Sequence, residues 1–140
     1  MGRHETFDHT ADVGLRIWGD DPEDLFRTAA EALFDYVIVN RETLKTAEFE
    51  TVELFSDCLG DLLVEWLGEL IFRAETRHKL YVEFNLAIAP DGKSLKAKIG
   101  GERIDPARHQ LDHEIKAVTR HGLVFRQEGS GYLAEVILDI

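Results

Sequence analysis

The chain has 140 residues, 44% of them hydrophobic, which suits one domain spanning 1–140 around a single core and leaves too little for two. Its 27 Asp and Glu against 16 Lys and Arg give a formal charge of -11, so the surface repels phosphate backbones and no direct nucleic-acid binding is expected. Aliphatic runs such as Leu62-Leu63-Val64 and Val136-Ile137-Leu138 fall far short of the roughly 20 residues that span a bilayer, so no membrane association is expected.

The opening Met-Gly-Arg-His-Glu carries no apolar leader, and Cys58 is the single cysteine, which excludes an intrachain disulfide; a cytoplasmic setting is the expectation. Val13, Leu15 and Ile17 alternate with Gly14, Arg16 and Trp18 and predict a half-buried strand. Asp20-Asp21-Pro22-Glu23-Asp24 opens a helix, with an aspartate to cap, proline for the first turn and acids for the positive end of the dipole. Leu25, Phe26, Ala29, Leu33, Tyr36 and Val37 form its apolar stripe. A strand follows over Glu48 to Phe55. Ser56-Asp57 then starts a second helix, whose apolar positions from Leu59 through Trp66 to Ala74 recur at spacings of three and four. Val82-Phe84-Leu86-Ile88 and Leu95-Ala97-Ile99 predict a hairpin across Pro90-Asp91-Gly92-Lys93. Residues 101–113 read as an exposed excursion. Leu123 to Phe125 and Tyr132 to Leu138 form another hairpin across Gly129-Ser130-Gly131. The pattern predicts an α+β fold: a two-layer sandwich in which two helices cover a mostly antiparallel sheet, with hairpins crowding the second half.

Three polar clusters could carry chemistry. His9-Thr10-Ala11-Asp12 could hold a cation, and an Asx or Ser/Thr turn explains the same residues. The ending Glu135-Val136-Ile137-Leu138-Asp139-Ile140 reads as a strand to the last residue, which brings the Asp139 carboxylate and the α-carboxylate of Ile140 together. Hard oxygens of this kind suit a divalent cation, as a solvated strand end suits them too, and Asp12 reaches them only if the first and last strands are neighbours. The third cluster, His113 to His121, is the cationic stretch of an acidic chain, in which Lys116 could hold an anion and His121 could serve as a base, or both could be solvated strand-edge residues. His109 and His113 have the spacing of a helical zinc pair without the glutamate of HExxH. Phosphate-loop, dinucleotide, CxxC and nucleophile-elbow signatures are absent, and Cys58 lies at a helix start with no evident partner.

Phe7-Asp8-His9-Thr10-Ala11-Asp12-Val13-Gly14, the helix core Leu62-Leu63-Val64-Glu65-Trp66-Leu67, the strand Ile115-Lys116-Ala117-Val118-Thr119 and the ending Ile137-Leu138-Asp139-Ile140 together resemble the archease family, in order and over the whole chain. The resemblance implies the archease fold and a cytoplasmic accessory protein, not an enzyme, whose partner is the RtcB-type tRNA-splicing RNA ligase. It implies promotion of ligase guanylylation and multiple turnover, and a relaxed nucleotide requirement. It further implies a divalent cation, calcium, at Asp12, Asp139 and Ile140, and leaves His9, Lys116 and His121 as candidate partner or anion contacts. Where relatives commonly have an aromatic residue after KAVT, this chain has Arg120. The competing reading is an independent metal-dependent enzyme acting on a small phosphorylated or nucleotide substrate, with Lys116 and His121 beside the metal.

Overall fold

Helix capping decides where the first long element starts: the Asp21 carboxylate accepts the Asp24 N–H at 2.7 Å, and Pro22 supplies a first turn that needs no N–H. The computed structural model describes residues 1–9 and 12–140, His9 through its backbone alone. Among these the elements run β1 (Arg3–His9), β2 (Asp12–Gly19), α1 (Pro22–Val37), β3 (Glu48–Phe55), α2 (Leu59–Arg77), β4 (Lys79–Ile88), β5 (Ser94–Arg103), β6 (Ala117–Glu128) and β7 (Gly131–Asp139). Helix α2 begins after Cys58, which caps through its backbone only, and stops where His78 turns left-handed with φ 52 and returns its N–H to Ala74.

The expected α+β class, with antiparallel strands and two helices, is the class observed. The strands divide between two sheets, ordered β1-β2-β7-β6 and β3-β5-β4, antiparallel throughout. Val13, Leu15 and Ile17 of β2 and Ala134, Val136 and Leu138 of β7 turn one face of the first sheet to the helices. Helix α1 packs on β2 and on β4, and α2 on β6 and β4, so the helix pair joins the apolar faces of both sheets into one cluster. Trp66 stands at its centre with no exposed surface, its indole N–H donating to the Phe26 carbonyl at 3.0 Å and its ring edge-on to Phe84.

Two expectations change. Strand β1 has no counterpart in the predicted elements, because Phe7 is the only apolar side chain in Arg-His-Glu-Thr-Phe-Asp-His and an edge strand can stay polar on both faces. The excursion at 101–113 begins later and is only partly exposed. Residues 101–103 complete β5, and Glu102 and His109 are buried. Beyond them the chain is bonded to the connection after α1: Val39 N–H to the Gln110 carbonyl, Asp112 N–H to the Val37 carbonyl, and an Ile38–Leu111 bridge. Among the described residues no helix is long and apolar enough to cross a membrane.

Candidate functional site

Register in the first sheet places the two aspartates singled out from sequence directly opposite each other. Asp12 of β2 pairs with Asp139 of β7, flanked by His9 of β1 and Ala117 of β6 in one row across all four strands. Side chains alternate along strands, so Asp12 and Asp139 share the face away from the helices, the same face as Arg16 and Glu135. The next row on that face is Phe7, Gly14, Ile137 and Thr119. A Cβ at position 14 would come within 2.1 Å of the Phe7 ring, so glycine there lets the ring lie over the strand and form an apolar border to the acidic row. One row further, Arg16 bridges Glu5 and Glu135.

Facing carboxylates on adjacent strands repel each other, and opposite charges in the same position attract. The Asp12–Asp139 row presents hard oxygens from both strands, with Ile140 following immediately and 41% exposed. That donor chemistry suits a divalent cation of the calcium type. Among the described residues no group of three or more His, Cys, Asp or Glu side chains is gathered for a metal, so the pair would need the Ile140 carboxylate, water or a partner's groups to complete a shell.

The remaining candidates are distributed unevenly. Lys116 is at the row, its N–H donating to the Asp139 carbonyl at 2.8 Å. His121 lies beyond Thr119, in a bulge where Arg120 to Leu123 face a single residue of β7 and Gly122 takes φ 75. Its N–H bonds the Thr119 hydroxyl at 3.1 Å, and the register does not bring it into the aspartate row. Arg120 reaches Asp61 and Glu65 of α2 at 3.5 and 3.4 Å, which ties the bulge to the helix electrostatically. The Thr10-Ala11 part of the HTAD cluster and the His9 side chain lie outside the described residues. The zinc spacing of His109 and His113 does not fall on a helix; His113 stacks on Tyr36 at 4.2 Å, and His109 is buried elsewhere. Cys58 is exposed at the start of α2.

Two further features had no single-residue signal in the sequence. One is a cleft of about 320 Å³ between the C-terminal halves of α1 and α2, walled by Phe34, Val37, Ile71, Ala74 and Leu80 and closed on one side by Ile104 and 111–115. The other is the anchor of that closing segment. Glu102 receives the Arg108 guanidinium and the Lys45 N–H, and the Arg108 guanidinium also donates to the Thr43 carbonyl at 2.7 Å. His109 accepts the Asp105 N–H on Nδ1 at 2.9 Å, so its proton sits on Nε2, 3.4 Å from Glu102. Bonding to Arg108, reinforced by the Lys45 N–H, holds the Glu102 carboxyl down from its ordinary 4.5 to about 2. A depressed carboxyl stabilises the fold fully above its unfolded value and loses that contribution as pH falls through its folded one. Glu102→Gln is therefore expected to cost about 2 kcal/mol at neutral pH, with native and variant stabilities converging between pH ~4.5 and pH ~2. Urea unfolding across that range measures it, and a gap independent of pH would reject the ion pair as the anchor.

The pattern of the Archease protein family (MTH1598/TM1083) matches residues 4–140. The curated protein archease of Methanopyrus kandleri is 36% identical over 138 residues, covering 97% of this chain and 98% of that one. The protein archease of Pyrococcus abyssi is 36% identical over 143 residues, with both chains fully covered. Among solved structures, the solution structure of Methanobacterium thermoautotrophicum protein 1598 superposes with a TM-score of 0.79 at 33% identity, covering 98% of each chain. A Thermotoga maritima crystal structure described as an archease, possible chaperone, shares the fold with a TM-score of 0.66 at 21% identity, over 99% of this chain and 98% of that one.

Proposed function

This chain belongs to the archease family, and from that premise we propose that it is an accessory protein, not itself an enzyme, that activates an RtcB-type tRNA-splicing RNA ligase. In this reading it promotes guanylylation of the ligase, lets each ligase molecule turn over repeatedly and relaxes the nucleotide requirement. The observation that carries it is the direct register of Asp12 against Asp139. Asp12, Asp139 and the Ile140 carboxylate would hold a divalent cation, calcium, which supplies positive charge between oxygens that otherwise repel. With so few protein donors, the shell is left for water or for the ligase's own groups to complete.

The charge of -11 supports a partner that is itself basic, as a protein handling RNA phosphates must be, and such opposite fields speed encounter. Lys116, whose backbone is bonded to Asp139, stands where it can meet an anionic group of the partner. The competing enzyme reading wants a base beside the metal, and its candidate, His121, lies in the bulge outside the aspartate row.

The test is RNA joining by the purified ligase from the same source, at limiting ligase, with and without this chain, under GTP and under ATP. The expected result is more product molecules than ligase molecules only when the chain is present. No stimulation under either nucleotide, with phosphate-ester turnover by the isolated chain, would replace this reading with the enzyme one.

A further inference from the structure

We propose that the apolar cleft between α1 and α2 is where this protein grips its ligase, by receiving an aliphatic or aromatic side chain that the ligase presents between basic residues; the proposal rests on the activator reading above. Three observations converge on it. The first is the shape and chemistry of the space: about 320 Å³ lined by Leu33, Ile71, Ala74, Leu80 and Ile115 among others, a volume that matches one or two large side chains. Its lip is also apolar and uncovered. Leu111, which lines the cleft, is 51% exposed, and a large apolar side chain left uncovered at a cavity mouth marks a contact site.

The second observation is charge. Glu75, Asp112 and Glu114 line the cleft, and the Lys79 ammonium is committed to Glu48 and Glu50 at 3.1 Å, so the mouth is acidic. An acidic ring around an apolar hollow selects an apolar anchor flanked by Lys or Arg and disfavours an acidic or phosphorylated visitor. The third is position. Ile115 lines the cleft and the next residue, Lys116, gives its N–H to the Asp139 carbonyl, so one short run of chain joins the cleft to the aspartate row. The cleft and the row are thus one residue of chain apart, with the row's carboxylates on the face away from the helices. The division of labour follows: the cleft sets affinity, and the aspartate row sets what happens once the partner is bound.

The experiment is calorimetric titration of the full chain into the purified ligase, paired with the joining assay over a range of chain concentrations. Leu111→Glu, at an exposed position, and Ala74→Trp, which fills the hollow, are each expected to weaken binding about thirtyfold. In the joining assay both should shift the half-maximal concentration by a similar factor and leave the stimulation at saturation native. Asp112→Lys with Glu114→Lys is expected to slow association about tenfold and flatten its dependence on salt. Native affinity in both cleft variants, with the native chain binding and stimulating, overturns the docking site and leaves the activator reading standing. Failure of the native chain to bind the ligase at all overturns both. A self-association of the native chain that Leu111→Glu abolishes would assign the cleft to a second copy and overturn the proposal.

Discussion

Exchanging Asp139 for asparagine is expected to abolish the stimulation of RNA joining, to at least a tenfold loss, while the variant folds as the native chain does. The reasoning is electrostatic and starts from register. Asp12 and Asp139 face each other across β2 and β7, where like charges oppose pairing by up to about 1 kcal/mol and a cation between them reverses the sign. Calcium at about a hundred times its dissociation constant would add roughly 2.7 kcal/mol to native stability, a rise in midpoint of about 5–10 °C for a domain of this size. Asp139→Asn should melt at or slightly above the native temperature in chelator, and calcium should no longer shift it. Asp12→Asn should likewise lose the calcium shift, since either substitution leaves one side-chain carboxylate where two are needed. Thermal melts with calcium and with chelator, read beside the joining assay, test both halves. Variants that keep the calcium shift and the stimulation would remove the aspartate row from the mechanism.

Trp66→Ala is expected to cost about 4 kcal/mol, among the largest effects of any single substitution here. The ring has no exposed surface and packs edge-on against Phe84 of β4, and its N–H satisfies the Phe26 carbonyl of α1, so its loss opens a void touching both helices and the second sheet. Trp66→Phe should recover much of the packing and leave the Phe26 carbonyl without that donor, at about 1–2 kcal/mol. Urea unfolding at neutral pH separates the two. A loss under ~1 kcal/mol for the alanine variant would mean that the core closes over the gap.

Local chemistry was what the sequence made legible. The two helices announce themselves through the Asp21-Pro22 start and the three-and-four spacing from Leu59 to Ala74, and the hairpins through Pro90-Asp91-Gly92-Lys93 and Gly129-Ser130-Gly131. Strand β1 is hidden because Phe7 alone carries an apolar signal, and its ring finds room only through the missing side chain of Gly14 on the next strand. The polar stretch at 101–113 looks solvated for the same reason: its fixed points, Glu102 and His109, are charged or polar side chains buried by particular partners rather than by hydrophobicity. Each candidate aspartate was visible alone. Their adjacency depends on β2 lying beside β7, a pairing of remote segments on which alternation within a strand is silent.

That same pairing sets a schedule for making the protein. Strand β2 is synthesised early, yet its partner β7 follows every other element, and between them the ribosome adds residues at roughly 5–20 per second. Throughout that interval the nascent chain has one edge of β2 open, and its first sheet cannot close until translation has passed β7. A chain that stops short of β7 therefore lacks the middle of the first sheet and half of the aspartate row together, so a prematurely terminated product would be without the proposed cation site. Folding and competence arrive in a single late step.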